Sequence, residues 1–165
     1  MIQRVGDLEI TYDMDFQRRE WRIQRIGWGL MALFAVAALL GLFGGGPLSS
    51  ATAGKEGSDF WVEYNRFLRL TKTTEVHIYI QSDADRIRFW MDRDYLTSME
   101  LVRTTPPVER AETTSDRVYF VFPQSRPGEP VQITFFLRPL KSTIASGQIG
   151  IDNRSTLDYT QIIYP

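Results

Sequence analysis

A hydrolytic triad or a zinc site needs histidine, and a chain of 165 residues with one histidine and no cysteine leaves little room for either. His77 lies with Glu75, Tyr79 and Gln81 on the polar side of an alternating run, with no second imidazole or thiol to complete a site. The lack of cysteine also removes thiolate ligands, a thiol nucleophile and disulfides, so stability has to come from packing. There is no G-x-S-x-G elbow, no Walker loop and no G-x-G-x-x-G after a strand; the triple glycine Gly44-Gly45-Gly46 closes an apolar run instead. Two Asp-x-Asp pairs, Asp83/Asp85 and Asp92/Asp94, have a carboxylate spacing that suits calcium. They bracket one expected strand, and at ~3.3 Å per residue their inner members stand roughly 23 Å apart, too far to share an ion. They read as turn formers. The sequence points to a protein without catalytic residues, cofactor or metal.

Recognition chemistry is better represented. If the strands expected over 75–81 and 86–91 form a hairpin across Ser82–Asp85, His77 faces Trp90 and Tyr79 faces Arg88 on the outer side of a sheet. Aromatic rings and guanidinium groups concentrate at interface hot spots, so His77, Tyr79, Arg88 and Trp90 form a candidate interaction surface for a protein partner or a glycan. In an immunoglobulin topology the same two strands belong to different sheets and the surface is divided. Trp90 also fits a blander role as a cover over the sheet or the linker.

The residues that would position this surface alternate with period two. Val76, Ile78 and Ile80 oppose Glu75, His77, Tyr79 and Gln81, and Ile87, Phe89 and Met91 oppose Arg86, Arg88 and Trp90. Val118, Phe120 and Phe122 make a further inward set, as do Val131, Ile133, Phe135 and Leu137; Tyr119, Val121 and Phe136 between them are apolar too, as in central strands. Strands are expected over 60–70, 75–81, 86–91, 97–103, 108–112, 117–122, 131–138, 147–151 and 157–163, with nine as an upper count. Turns fall at Ser82–Asp85, Pro106-Pro107, Pro127-Gly128 and Asp152-Asn153. The fold class read from this spacing is all-β, an immunoglobulin- or fibronectin-like sandwich over residues 59–165, an architecture that implies no activity by itself. Asn153-Arg154-Ser155 matches a glycosylation sequon, relevant only to a eukaryotic source.

Ahead of that domain stands the strongest signal in the chain. Residues 26–46 lie in an interval, Ile26 to Gly54, without a single charge. As a helix they would measure roughly 31 Å, matching a ~30 Å hydrocarbon core. Trp28 suits the headgroup level, and Gly44 to Pro47 end the helix on the far side. Arg18, Arg19, Arg22 and Arg25 flank the near side, whereas the first basic residue beyond is Lys55, so residues 1–25 are expected in the cytoplasm and the domain outside. Phe16 to Gln24 can extend the helix along the headgroups. Ala37, Gly41 and Gly45 recur every fourth residue, a small-residue face through which a second copy can pack, although such residues are common in any spanning helix. Residues 47–58 read as a flexible linker. A second reading takes Ala51-Thr52-Ala53 as a signal-peptide cleavage site. The long apolar run and the acidic Asp7, Glu9, Asp13 and Asp15 ahead of it argue against that, and both readings deliver the same domain to the same side.

Composition narrows the function classes. With 24% charged and 43% apolar residues and a formal charge of −1, the chain is a folded protein with no basic stripe for nucleic acid. Arginine outnumbers lysine, which agrees with a GC-rich bacterial genome and hence an inner membrane facing a periplasm; that link is an association only. The tail is too short to hold a kinase or a DNA-binding domain. Three classes are carried forward: a single-pass, non-catalytic accessory or scaffold subunit with a membrane or extracytoplasmic protein partner, an extracytoplasmic binder of a small ligand or glycan, and an enzyme, which the residue inventory disfavours.

Overall fold

The computed structural model describes residues 2–5, 8–11, 14–41, 46, 48–124, 126, 128–151 and 155–165, with side chains from Phe16 onward. Gly44, Gly45 and Pro47 at the expected helix end, Pro127 of one turn, and Asp152, Asn153 and Arg154 of another turn and the sequon lie outside the described residues. The chain divides into two compact units, 1–39 and 40–165.

The first unit holds an antiparallel pair, β1 (Ile2–Val5) and β2 (Leu8–Thr11), followed by α1 (Met14–Leu39). Over Phe16–Leu39 this helix is long and apolar enough to cross a membrane. It starts well ahead of Ile26, and it stops at Leu39 rather than at Gly46. The stop has a local cause: Gly41, two residues on, has φ +88°, the left-handed conformation that terminates helices. From Ile26 to Leu39 an α-helix is only ~21 Å long, so spanning a ~30 Å core would require the turns around Arg22 and Arg25 as well. Their long side chains can reach back to the headgroups, and the Arg25 guanidinium already lies 3.9 Å from the centre of the Trp21 ring. The small-residue face does not form as expected. Ala37 is helical, but Gly41 lies beyond the helix, where a Cβ would come within 2.6 Å of the Gly46 Cα. Its missing side chain serves a close approach within the chain.

The second unit runs β3 (Ser50–Ala53), β4 (Phe60–Asn65), β5 (Phe67–Arg69), β6 (Thr74–Gln81), β7 (Arg86–Asp92), α2 (Arg93–Thr97), β8 (Met99–Thr105), β9 (Arg110–Thr113), β10 (Arg117–Pro123), β11 (Pro130–Pro139), β12 (Ile144–Ile151) and β13 (Ser155–Tyr164). One sheet has the order β3-β4-β6-β11-β8 and the other β5-β13-β12-β7-β10-β9. All neighbours are antiparallel except β5 and β13. The alternating sets Val76/Ile78/Ile80, Ile87/Phe89/Met91 and Ile133/Phe135/Leu137 are buried between the sheets. Phe135 of the first sheet meets Phe120 and Phe89 of the second edge to face, with ring centres 5.0 and 5.8 Å apart. The domain is an all-β sandwich.

Three departures from the sequence reading have physical causes. The eleven strands of this domain exceed the nine expected, partly because the stretch 47–58 is not all linker: Ser50–Ala53 pairs with β4 and buries Ala51 and Ala53. The single strand expected over 60–70 divides at Arg66 and crosses from one sheet to the other. At the crossing the Arg66 N–H donates to the Ser49 carbonyl (2.6 Å) and the Arg66 carbonyl accepts from the Ile162 N–H (2.7 Å). Residues 93–97 form a short helix because Tyr95 packs against Gly147, where any Cβ would lie 2.8 Å from that of Tyr95.

Beneath the crossing lies a buried polar chain. The Tyr95 hydroxyl donates to Gln161 Oε1 (2.7 Å), and Gln161 Nε2 donates to the Asn65 carbonyl (2.8 Å). Tyr159 stands edge-on to Tyr95 at 4.7 Å, and its buried hydroxyl has no partner. Burial raises both phenols above their ordinary value of 10.0. Tyr95→Phe, which strips Gln161 of its donor, is expected to cost about 1–3 kcal/mol, whereas Tyr159→Phe should be near neutral; thermal unfolding of the two variants checks this. Because the unfolded phenols ionise first as pH rises past 10.0, the melting temperature should hold below that pH and fall above it, less steeply in Tyr159→Phe.

Candidate interaction surface

The four residues singled out in the sequence do not form one surface. His77 and Tyr79 lie on β6 in the five-stranded sheet, and Arg88 and Trp90 lie on β7 in the six-stranded sheet. The loop Ser82–Asp85 joins the two sheets rather than closing a hairpin. Trp90 is moreover 3% exposed. It is paired across strands with Gly150, whose missing side chain lets the indole lie over the neighbouring backbone; a Cβ there would be 2.7 Å from Trp90 Cζ2. The Arg117 guanidinium covers the ring at 3.9 Å. Arg88 stands over the Tyr119 ring at 4.4 Å and 3.7 Å from Glu112. Trp90 and Arg88 thus finish the outer face of their own sheet.

His77 and Tyr79 find different neighbours. Register places Trp61, Tyr79 and Gln132 in one row across β4, β6 and β11, and Thr52, Glu63, His77 and Thr134 in the next. Trp61 and Tyr79 stack face to face, 4.6 Å between centres and 6° between planes. The Tyr79 hydroxyl donates to Glu63 Oε2 at 3.2 Å, and its pKa is raised first by desolvation and then by the Glu63 charge. The Trp61 indole N–H is buried without a partner among the described residues. Beside this pair a groove of about 600 Å³ runs between Thr52, Glu63, Asn65, Thr73, Glu75 and His77.

His77 Nδ1 lies 3.1 Å from Thr134 Oγ1 and 3.2 Å from Gln132 Nε2, and its Nε2 lies 3.5 Å from Glu75 Oε2. A tautomer with the proton on Nε2 satisfies all three, with Nδ1 accepting and Nε2 donating to the carboxylate. Hydroxyl, imidazole and carboxylate stand in the order of a hydrolytic triad, yet two features oppose that chemistry. The Gln132 amide competes for the nitrogen that would take the Thr134 proton. Thr134 also sits on a strand laddered on both sides, by β6 and β8, so its backbone offers no oxyanion donors. Among the described residues no three His, Asp or Glu side chains are grouped to hold a metal ion. Asp92 instead accepts from the Gln148 N–H at 2.8 Å.

Compared with known protein families and with curated proteins, the chain matches none. The site has to be read from its own geometry, and sequence reasoning missed half of it. Trp61 and Glu63 share the alternation of β4, but only the sheet order β4-β6-β11 sets them beside Tyr79 and His77.

Three substitutions separate the faces. Trp90→Ala should cost about 3 kcal/mol of stability, and Gly150→Ala should also destabilise by displacing the indole. Trp61→Ala should lose only about 1 kcal/mol, the worth of an aromatic stack. Equal losses for Trp90→Ala and Trp61→Ala in thermal melts would contradict this division.

Proposed function

We propose that the chain is a single-pass membrane protein whose extracytoplasmic sandwich is a non-catalytic interaction module, an accessory or scaffold subunit of a membrane complex. The observation that carries the reading is the outward Trp61–Tyr79 stack beside Glu63 and His77, on a sheet face where the Phe136 ring is by contrast covered by Arg103 at 3.9 Å. Stacked aromatics next to charge are the composition of an interface hot spot. No nucleophile paired with a free base adjoins them, which supports a binding role over catalysis, and the residue inventory supports neither a cofactor nor nucleic acid as a partner.

The orientation rests on charge. Arg18, Arg19, Arg22 and Arg25 lie ahead of the apolar stretch and no basic residue follows it until Lys55, which favours a cytoplasmic N-terminus and, in a bacterial inner membrane, a periplasmic domain. We propose that the sandwich is immunoglobulin-like, a reading supported by the order β4-β6-β11-β8 on one side and, on the other, by β5, which continues β4 across the crossing and runs parallel to β13. It departs from that pattern in placing β8 before the β9–β10 pair in sequence. A second reading, glycan or small-ligand binding, is favoured by the groove beside the aromatic stack, whose lining of Glu63, Asn65 and Thr52 can hydrogen-bond a sugar.

Tagged full-length protein, purified from its native membrane in mild detergent, is expected to bring a stoichiometric partner that Trp61→Ala releases by tenfold or more, the order of a hot-spot loss. If the chain arrives alone at every expression level, the subunit reading fails and the groove becomes the site to screen with glycans. For orientation, Ser58→Cys in intact cells should react with a membrane-impermeant maleimide; reaction only after permeabilisation would reverse the topology.

A further inference from the structure

Exposed apolar side chains are unevenly placed on the sandwich. Among the described residues of this domain, Leu40, Leu48, Leu101, Val102, Leu140, Ile144 and Ile162 are the large exposed ones. Five of the seven gather where the chain enters the domain. The Leu40 carbonyl accepts from the Leu48 N–H, the Ser49 carbonyl from the Arg66 N–H, and the Arg66 carbonyl from the Ile162 N–H. Ile162 is in turn paired across strands with Ile144, and Leu140 begins the turn that leads to it. Ile144 is 67% exposed and Ile162 43%.

Charge follows the same division. The segments 65–73, 139–144 and 161–165 that build this end carry Arg66, Arg69, Lys72 and Lys141 and no Asp or Glu. All four are exposed, and among the described residues none is in an ion pair. Acids on neighbouring elements are Glu75 beside His77, Glu100 paired with Arg138, Asp116 paired with Arg117, and Asp94 on α2, whose C-cap Ser98 carbonyl accepts from the Leu140 N–H. At the opposite end, residues 55–59 and 82–86 set Glu56, Asp59, Asp83 and Asp85 against Lys55 and Arg86.

We infer that this end of the sandwich rests on the bilayer, with Leu140, Ile144 and Ile162 among the headgroups and Arg66, Arg69, Lys72 and Lys141 on anionic lipid phosphates. The inference builds on the reading of α1 as a membrane span. Basic residues around a small apolar cluster are the composition of a peripheral lipid contact, and Leu40 directly follows the helix. Docking would fix the height of the domain and leave the Trp61–Tyr79 face turned to a partner.

Because the chain has no cysteine, single-cysteine variants of the full-length protein can be spin-labelled without background. Ile144→Cys reports on this end, Ala84→Cys on the opposite end, and Leu33→Cys on the helix. In vesicles of phosphatidylcholine with phosphatidylglycerol, the label at 144 is expected to be several-fold less accessible to a water-soluble nickel chelate than the label at 84. The protection should vanish when Arg66→Glu, Arg69→Glu and Lys141→Glu are combined, and should weaken at high salt. Equal accessibility at 144 and 84 would overturn the inference. So would protection that persists in phosphatidylcholine alone and grows with the protein-to-lipid ratio, which would mean that a second copy covers the patch. A water-accessible label at 33 would remove the membrane span itself, a result distinct from either.

Discussion

The amide of Gln161 holds the place where one strand leaves its sheet for the other. A sandwich in which one strand, β4 continued as β5, serves both sheets has to break its hydrogen-bond ladder at the crossing, and the freed backbone groups need other partners. Gln161, fully buried, donates to the Asn65 carbonyl at that break and accepts from Tyr95 on α2, so one side chain ties the crossing, the last strand and the short helix together. An unsatisfied group there would cost about 1–3 kcal/mol, a large share of the margin of a small domain. The same crossing brings Ser49 and Arg66 together, and so fixes where the chain enters the domain.

Once the strands are placed, the two outer faces take on different characters for a steric reason. On the six-stranded sheet Gly150 leaves room for Trp90 to lie against the backbone, and guanidinium groups close over the Trp90 and Tyr119 rings, while Ile144 and Ile162 stay exposed toward one end. On the five-stranded sheet no glycine receives an aromatic ring among the described residues, and Trp61 and Tyr79 stack on each other beside carboxylates instead. An indole N–H left without a partner there is a cost the fold does not recover by itself. Trp90 and Tyr119 are thus covered on one sheet, and on the other Arg103 covers Phe136 while the Trp61–Tyr79 stack stays partly exposed.

Much of this was legible in the sequence, because it follows from side-chain periodicity and length. The uncharged interval after Arg25 and the inward sets on β6, β7 and β11 need no knowledge of which strand neighbours which. The candidate surface was misread for a definite reason. Alternation tells which face a residue takes within its own strand, and Trp90 was rightly assigned to the outer face. Whether an outer residue is exposed depends on the strand beside it, and there Gly150 made a seat for the indole.

The sequence by itself determined that an apolar helix precedes a β domain and which residues fill the core, since these are properties of single segments. The tertiary structure alone decided that His77 and Trp90 belong to different sheets, that Trp61 and Glu63 join Tyr79, and that residues 50–53 are a strand. Each of these is a long-range pairing or a backbone conformation whose energy comes from a partner distant along the chain. Local propensity is silent about such partners until the sheets are assembled.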